Sequence, residues 1–163
     1  MAIDVYLQLD GIKGESTDGA KKDWIECKSV QFEVSQPKSA TASTGGGHTA
    51  ERCEHKDIVL TKLVDLASPL LLQNCSSGKT IPKAKFEFFR ADGKGERVMY
   101  FAIELDNVLI SDVAPSVSEG DIMKESVSLK YSKVKWTYKQ QSIKGGASGN
   151  TSGSWDLATN KVA

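Results

Sequence analysis

Residues 122–138, IMKESVSLKYSKVKWTY, carry a strand alternation whose phase changes halfway along. Val127, Leu129 and Tyr131 are apolar at odd positions, whereas Val134, Trp136 and Tyr138 are apolar at even ones. One extra residue must enter near Ser132 and Lys133, which is the signature of a β-bulge. A long strand bent in this way belongs in a curved sheet or barrel, where the bulge keeps an apolar face on the core as the sheet coils.

The rest of the chain repeats the theme. Ile3, Val5, Leu7 and Leu9 alternate with polar residues and Tyr6 as a half-buried first strand ending at Gly11. A second strand starts at Ile25 and Cys27 and continues through Val30, Phe32 and Val34, with another change of phase near Lys28. Ala84, Phe86 and Phe88 form one arm of a hairpin that turns at Asp92 and Gly93 and returns through Met99, Phe101, Ile103 and Leu105; Val108 and Ile110 shift the phase again. Ser68 and Pro69 read as N-cap and first helical residue, and Gly78 as the C′ residue of a helix of about three turns. So short a helix is held by packing Leu70, Leu71 and Leu72 on the sheet, each fully buried side chain contributing roughly 1.5–3 kcal/mol. The expected fold is mainly β, a barrel of two curved sheets with one short flanking α-helix.

Residues 1–163 read as a single domain, long enough for one substantial core. Residues 37–54 are Ser-, Thr-, Ala- and Gly-rich and form an extended arm, better suited to contacting a partner than to burial. Residues 139–154 look like a linker, and 155–163, with Trp155 and Leu157, like a docked tail. Apolar residues at 39% and charged residues at 26% describe an ordinary folded composition. The 21 basic and 21 acidic side chains cancel, so nucleic acid gains no general attraction, and near-zero net charge favours self-association. No apolar run reaches membrane-spanning length and the N-terminus carries no secretory leader, so synthesis in the cytoplasm is expected. Cys27, Cys53 and Cys75 are odd in number and widely spaced, a poor disulfide framework.

The apparent sites fail individually. CSSGKT at 75–80 resembles the end of a phosphate-binding loop, but Gln73 stands where that motif requires Gly, and Pro82 follows where a helix should begin. His48, Cys53 and His55 lack the paired spacing of a zinc site. No strained elbow marks a nucleophile, so no catalytic, cofactor or metal residue is assigned and the protein is not read as an enzyme.

MAIDVYLQLDGIKGES at the start, the arm STGGGH, the block DIVLTKLVDLASPLLLQNCSSGKTIPKAKFEFFR and the ending SWDLATNK together resemble the haemolysin co-regulated protein (Hcp) family, the tube subunits of bacterial type VI secretion. The resemblance covers nearly the whole chain in the family's order. It implies homohexameric rings that stack into a tube, exported without a signal peptide and chaperoning small effector proteins in its pore. The implied partners are other copies of the chain, a spike protein, a contractile sheath and the effectors.

Within that reading, Ser43, Thr44, Gly45, Gly46 and Gly47 of the arm are expected to touch neighbouring subunits. Ser29, Gln31 and Glu33, opposite the apolar face of the second strand, are expected to line the pore, although alternation alone fits ordinary exterior surface equally well. The acidic group Glu104, Asp106, Asp112, Glu119 and Asp121 and the basic group Lys124, Lys130, Lys133, Lys135 and Lys139 are expected on opposite rims, where they would attract ring to ring. The alternative from another class is a small-molecule or carbohydrate-binding β-barrel, its pocket shaped by the arm and Trp24 or Trp155.

Overall fold

The computed structural model describes residues 4–37, 52–141 and 147–163. Nine strands form one coiled antiparallel sheet, and two more form a short ribbon. β1 (Asp4–Leu9) lies between β2 (Ile25–Cys27) and β7 (Thr80–Ala91), with Val5, Leu7 and Leu9 turned into the core. β7 forms the expected hairpin with the 20-residue β8 (Arg97–Ser116). Its turn is organised by the Asp92 carboxylate, which accepts from the amides of Lys94 and Glu96 at 2.8 Å each.

β8 changes partner along its length, and this explains the stretch that opened the sequence reading. Its first half pairs with β10 (Lys133–Gln141), its second half with β9 (Lys124–Lys130). Residues 122–138 therefore hold two strands, separated by Tyr131 and Ser132, and not one strand with a single extra residue. On β8 the matching break is Asn107, at φ 52°, a left-handed conformation that asparagine tolerates better than most residues. Its amide donates to Ser132 Oγ at 3.0 Å, while the Ser132 backbone N–H and hydroxyl both donate to the Asp106 carbonyl. The change of phase preserves a single inner face: Val127, Leu129 and Val134 are all fully buried.

β9 continues the sheet to β6 (Ile58–Leu63), and β6 to β3 (Ser29–Gln31). β2 and β3 end the path, yet only Lys28 separates them in sequence, and its amide donates to the Thr61 carbonyl at 2.7 Å. The sheet thus curls until its two ends meet, without a continuous ladder across the seam. The phase change expected at Lys28 is this crossing. Beyond it the expected apolar face fails: Val30 packs on the core, but the strand stops at Gln31, and Phe32 and Val34 are exposed. Val34 belongs instead to the ribbon of β4 (Val34–Ser35) and β5 (Glu54–His55).

The helix α1 (Ser68–Ser77) has Pro69 in its first turn and closes at Gly78, φ 66°, whose left-handed backbone glycine adopts without a Cβ penalty. Ser68 is not the cap, since Ala67 occupies that position. The Ser68 hydroxyl accepts from the Asp65 amide at 2.9 Å and donates to Glu125 at 2.7 Å. Leu71 alone of the three leucines is buried, with Leu70 and Leu72 on the outer side.

Of residues 139–154, read from composition as linker, 139–141 end β10, and 147–154 together with the first two residues of the tail form β11 (Ala147–Asp156), hydrogen-bonded along β10. Backbone pairing with a neighbouring strand needs no apolar side chains, so composition concealed it. Trp155 does pack against the core, and the Leu157 amide donates to the Ser132 carbonyl at 2.8 Å.

Candidate assembly and cargo-contact surface

The second half of β8, with β9, β6 and β3, builds a four-stranded wall whose inner side chains are core and whose outer side chains fall into register. One row runs Ser29, Thr61, Ser126, Ala114; the next runs Gln31, Val59, Ser128, Asp112. Directly paired residues share a face, so these two rows form one patch of small and mostly uncharged side chains. Ser29 Oγ and Thr61 Oγ1 share a hydrogen bond at 2.6 Å. Ser111, the extra residue of the bulge between Ile110 and Asp112, donates to Asp57 at 2.6 Å. Lys124 and Lys130 stand at the two ends of β9.

Of the residues expected in a pore lining, Ser29 and Gln31 lie on this patch and are exposed. Glu33 lies past the end of β3, paired with Lys56 at 3.2 Å at the foot of the ribbon. The sequence reading missed Thr61, Ser126, Ser128 and Asp112. The signal was available in SVSLK and VLTKL, whose polar members alternate with buried Val127, Leu129 and Leu60. Ser43, Thr44, Gly45, Gly46, Gly47 and His48 fall outside the described residues.

The opposite side of the barrel has different chemistry. Lys83 pairs with Asp106 at 2.6 Å, and Lys85 with Glu87 at 3.1 Å and Glu104 at 3.9 Å. Lys133 and Lys135 of β10 sit directly across from Asp106 and Glu104 of β8. This runs against the expectation of opposite charged rims for part of the two groups: Glu104 and Asp106 share one face with Lys135 and Lys133, and Asp121 pairs with Lys124 at 3.5 Å. Lys21 adds a 2.5 Å contact to Glu87 and lies 4.3 Å over the Trp24 ring, fastening the loop after β1 to the same face.

Beneath the wall, Lys62 is fully buried. Its ammonium donates to Glu125, to Asp65 at 2.8 Å, to the Leu63 carbonyl at 2.9 Å and to Ser68 at 3.3 Å, which ties β6, β9 and the start of α1 together. Every donor of the ammonium is therefore occupied, which is the condition for tolerating a buried charge.

The remaining sequence candidates have structural roles. The CSSGKT stretch closes α1 at its C-terminal end, where carbonyls and not amides face outward. Burial pushes the Cys27 thiol up to about 12, so it stays protonated and unreactive. Cys53 donates to the Ser35 carbonyl at 3.4 Å, and His55 stacks on Trp136. Among the described residues no three His, Cys, Asp or Glu side chains converge on a metal position, and no helix is long and apolar enough to cross a membrane.

Comparison with known proteins agrees with this architecture. The family model described as "Type VI secretion system effector, Hcp" matches residues 6–138. The chain is 33% identical to "Protein hcp1" of Pseudomonas aeruginosa over the whole of both sequences. It is 26% identical to the "Major exported protein" of the same organism, over 89% of this chain and 94% of that one. Among solved structures, one titled "Structure of a type six secretion system protein" superposes with a TM-score of 0.92 at 27% identity, covering 99% of this chain and 100% of the other. With one family model spanning most of the strands and a full-length relative of the same family, this chain belongs to the Hcp family of type VI secretion system effectors.

Proposed function

We propose that the chain is a structural tube subunit and not an enzyme. Six copies close into a ring with the hydroxyl-rich wall facing the pore, and rings stack into a tube that carries small effector proteins out of the cell. Its partners in this reading are other copies of itself, a spike, a contractile sheath and the cargo.

One observation carries the reading: among the described residues the wall is open at both lateral edges. Within them β3 pairs only with β6, and residues 110–116 of β8 pair only with β9, since β7 stops at the Thr80–Leu109 pair. Pro115, which has no N–H to give, fits an edge position. An open edge is a template for another strand, and two different edges on opposite sides of one wall make the contact head-to-tail. A head-to-tail contact forms a ring when the rotation per subunit closes, and the curvature already present in the sheet turns each copy in the same direction. The number six rests on the family.

Small hydroxyls and a glutamine suit a lumen that holds unlike proteins without gripping them: they offer hydrogen bonds to any polar surface and little apolar area to trap one. A ligand-binding barrel is less well supported. The interior is filled by Leu7, Ile25, Leu60, Phe86, Ile103, Leu105 and Leu129, each at most 1% exposed. The grooves near Trp24 and near Ser154 lie on the outside.

The native mass of the purified chain, with negative-stain images of the same fraction, tests this reading. Annular particles of six subunits are expected; a clean monomer would overturn it.

A further inference from the structure

The imidazole of His55 is the last side chain of β5, in the ribbon it forms with β4. Its ring lies nearly parallel to Trp136, at 13° with centroids 6.3 Å apart, and edge-on to Tyr131 at 6.2 Å. Nδ1 is out of contact with solvent and has no hydrogen-bond partner among the described residues. A buried nitrogen aimed at no partner is uncommon, because leaving a polar atom unsatisfied costs more than its hydrogen bond would contribute. In the neutral tautomer protonated at Nε2 the unpaired atom is an acceptor. In the doubly protonated ring it becomes a charged donor with no acceptor among the described residues.

We propose that His55 is a proton-operated latch: neutral, it pins the β4–β5 ribbon against Tyr131 and Trp136, and protonation releases the ribbon from the barrel. The inference concerns a contact within one subunit and does not depend on the ring.

The surrounding charges do not rescue the imidazolium. In the link before β6, Asp57 accepts from Ser111 at 2.6 Å. Glu33, before β4, is paired with Lys56 of the β5–β6 link. Glu54 and Arg52 are exposed, and the Cys53 thiol is engaged with the Ser35 carbonyl. The phenol of Tyr131 donates to the Lys56 carbonyl, and burial pushes it up to about 12, so it carries no negative charge at neutral pH. The Trp136 face offers some cation–π attraction, but burial holds His55 below the ordinary histidine value of 6.5 with no carboxylate opposing the shift. The sign follows: above 6.5 the ring is neutral whether the ribbon is docked or free, and nothing is lost. As pH falls below 6.5 the undocked ring takes up a proton first, so docking weakens progressively down to the value of the docked ring. The flanks of the ribbon are fastened separately, by Phe32 stacked on Phe101 at 6.0 Å and by Asp57 on Ser111, so the opening is confined to the β4–β5 pair, where the His55 ring contact and the Tyr131–Lys56 bond are broken.

The test uses the full chain, which has two histidines. Their ring protons are followed by NMR from pH 8 to pH 4.5, with His48→Asn assigning the two signals, and trypsin cleavage at Arg52 and Lys56 is measured across the same range. Each rate is divided by that of an unstructured peptide carrying the same two sites at the same pH, which removes the protease's own loss of activity in acid. The expected result is that His55 titrates below 6.5, that relative cleavage rises several-fold over that titration, and that His55→Phe cleaves at a relative rate independent of pH. A His55 titration at or above 6.5 would overturn the latch. So would unchanged cleavage across it, or the same acid response in His55→Phe. If the phenylalanine variant does not fold, the two wild-type measurements still decide.

Discussion

Gly14 shows why a single residue of the GIKGES stretch is not exchangeable. A Cβ there would stand 2.5 Å from the Trp24 carbonyl oxygen and 2.8 Å from the Ile25 Cα, where the backbone of the loop after β1 crosses the start of β2. The crossing is held by Gly14 N–H to the Asp23 carbonyl at 2.8 Å and Ser16 N–H to the Trp24 carbonyl at 3.0 Å. Gly14→Ala is expected to destabilise by about 1–3 kcal/mol, the usual cost of forcing packed groups apart. Gly19→Ala, which meets nothing within 4 Å, should be nearly neutral; urea midpoints of the two variants check this. At the same scale, Glu87 is buried, which alone would raise its carboxyl, but the ammonium groups of Lys21 and Lys85 outweigh burial and hold it below its ordinary value of 4.5. Its contribution to stability is therefore present above 4.5 and is lost as pH falls through the lowered value. Wild type and Glu87→Gln should differ in melting temperature at pH 7 and converge as the pH is taken below the lowered value of Glu87.

At the scale of elements, the helix is short and depends on what anchors it. Leu71 is its single buried leucine, so Leu71→Ala is expected to cost about 2–5 kcal/mol. Leu70→Ser and Leu72→Ser should stay within about 0.5 kcal/mol, as surface changes usually do. Chemical denaturation of the three variants separates packing from helix propensity. The Lys62–Glu125 pair is the second anchor. Lys62→Met leaves Glu125 buried without its cation and is expected to lose about 3–5 kcal/mol, whereas Lys62→Met combined with Glu125→Leu should recover most of it. A double variant as unstable as the single one would mean that the charge pair itself, and not the avoidance of an orphan charge, holds the helix to the sheet.

At the scale of the whole molecule, the barrel presents two unlike exteriors: a wall of hydroxyls and a face of interleaved lysines and carboxylates. If the wall is the lumen, Thr61→Arg, an exposed position in the centre of the hydroxyl row, should leave folding intact and reduce recovery of co-purified cargo several-fold. Lys83→Ala on the charged face should not change that recovery. Cargo retention that responds to Lys83 and not to Thr61 would reverse the assignment of the two faces. Because Asp106, Glu104 and Glu87 are paired with Lys83, Lys85 and Lys21 inside one subunit, particle length by light scattering should be insensitive to salt between about 0.05 and 0.5 M, a range over which exposed attractions between rings would be screened.

Local events were legible in the chain. Alternation marked the strands, the changes of phase near Lys28, before Val108 and near Ser132 marked the breaks, and Pro69 with Gly78 bounded the helix, because period and backbone freedom are properties of neighbouring residues. The same alternation placed Ser29 and Gln31 on an outer face. Which strands share an edge was settled in three dimensions, and three readings changed for that reason. Residues 147–156 are a strand because β10 offers them a ladder, Phe32 and Val34 are exposed because β3 ends at the seam, and Glu104 and Asp106 face Lys135 and Lys133 because β8 and β10 are neighbours. The hydroxyl wall likewise draws on four strands separated by up to 97 positions between Ser29 and Ser126. Pairing is a long-range choice made by burial of one common core, and no window of sequence contains it.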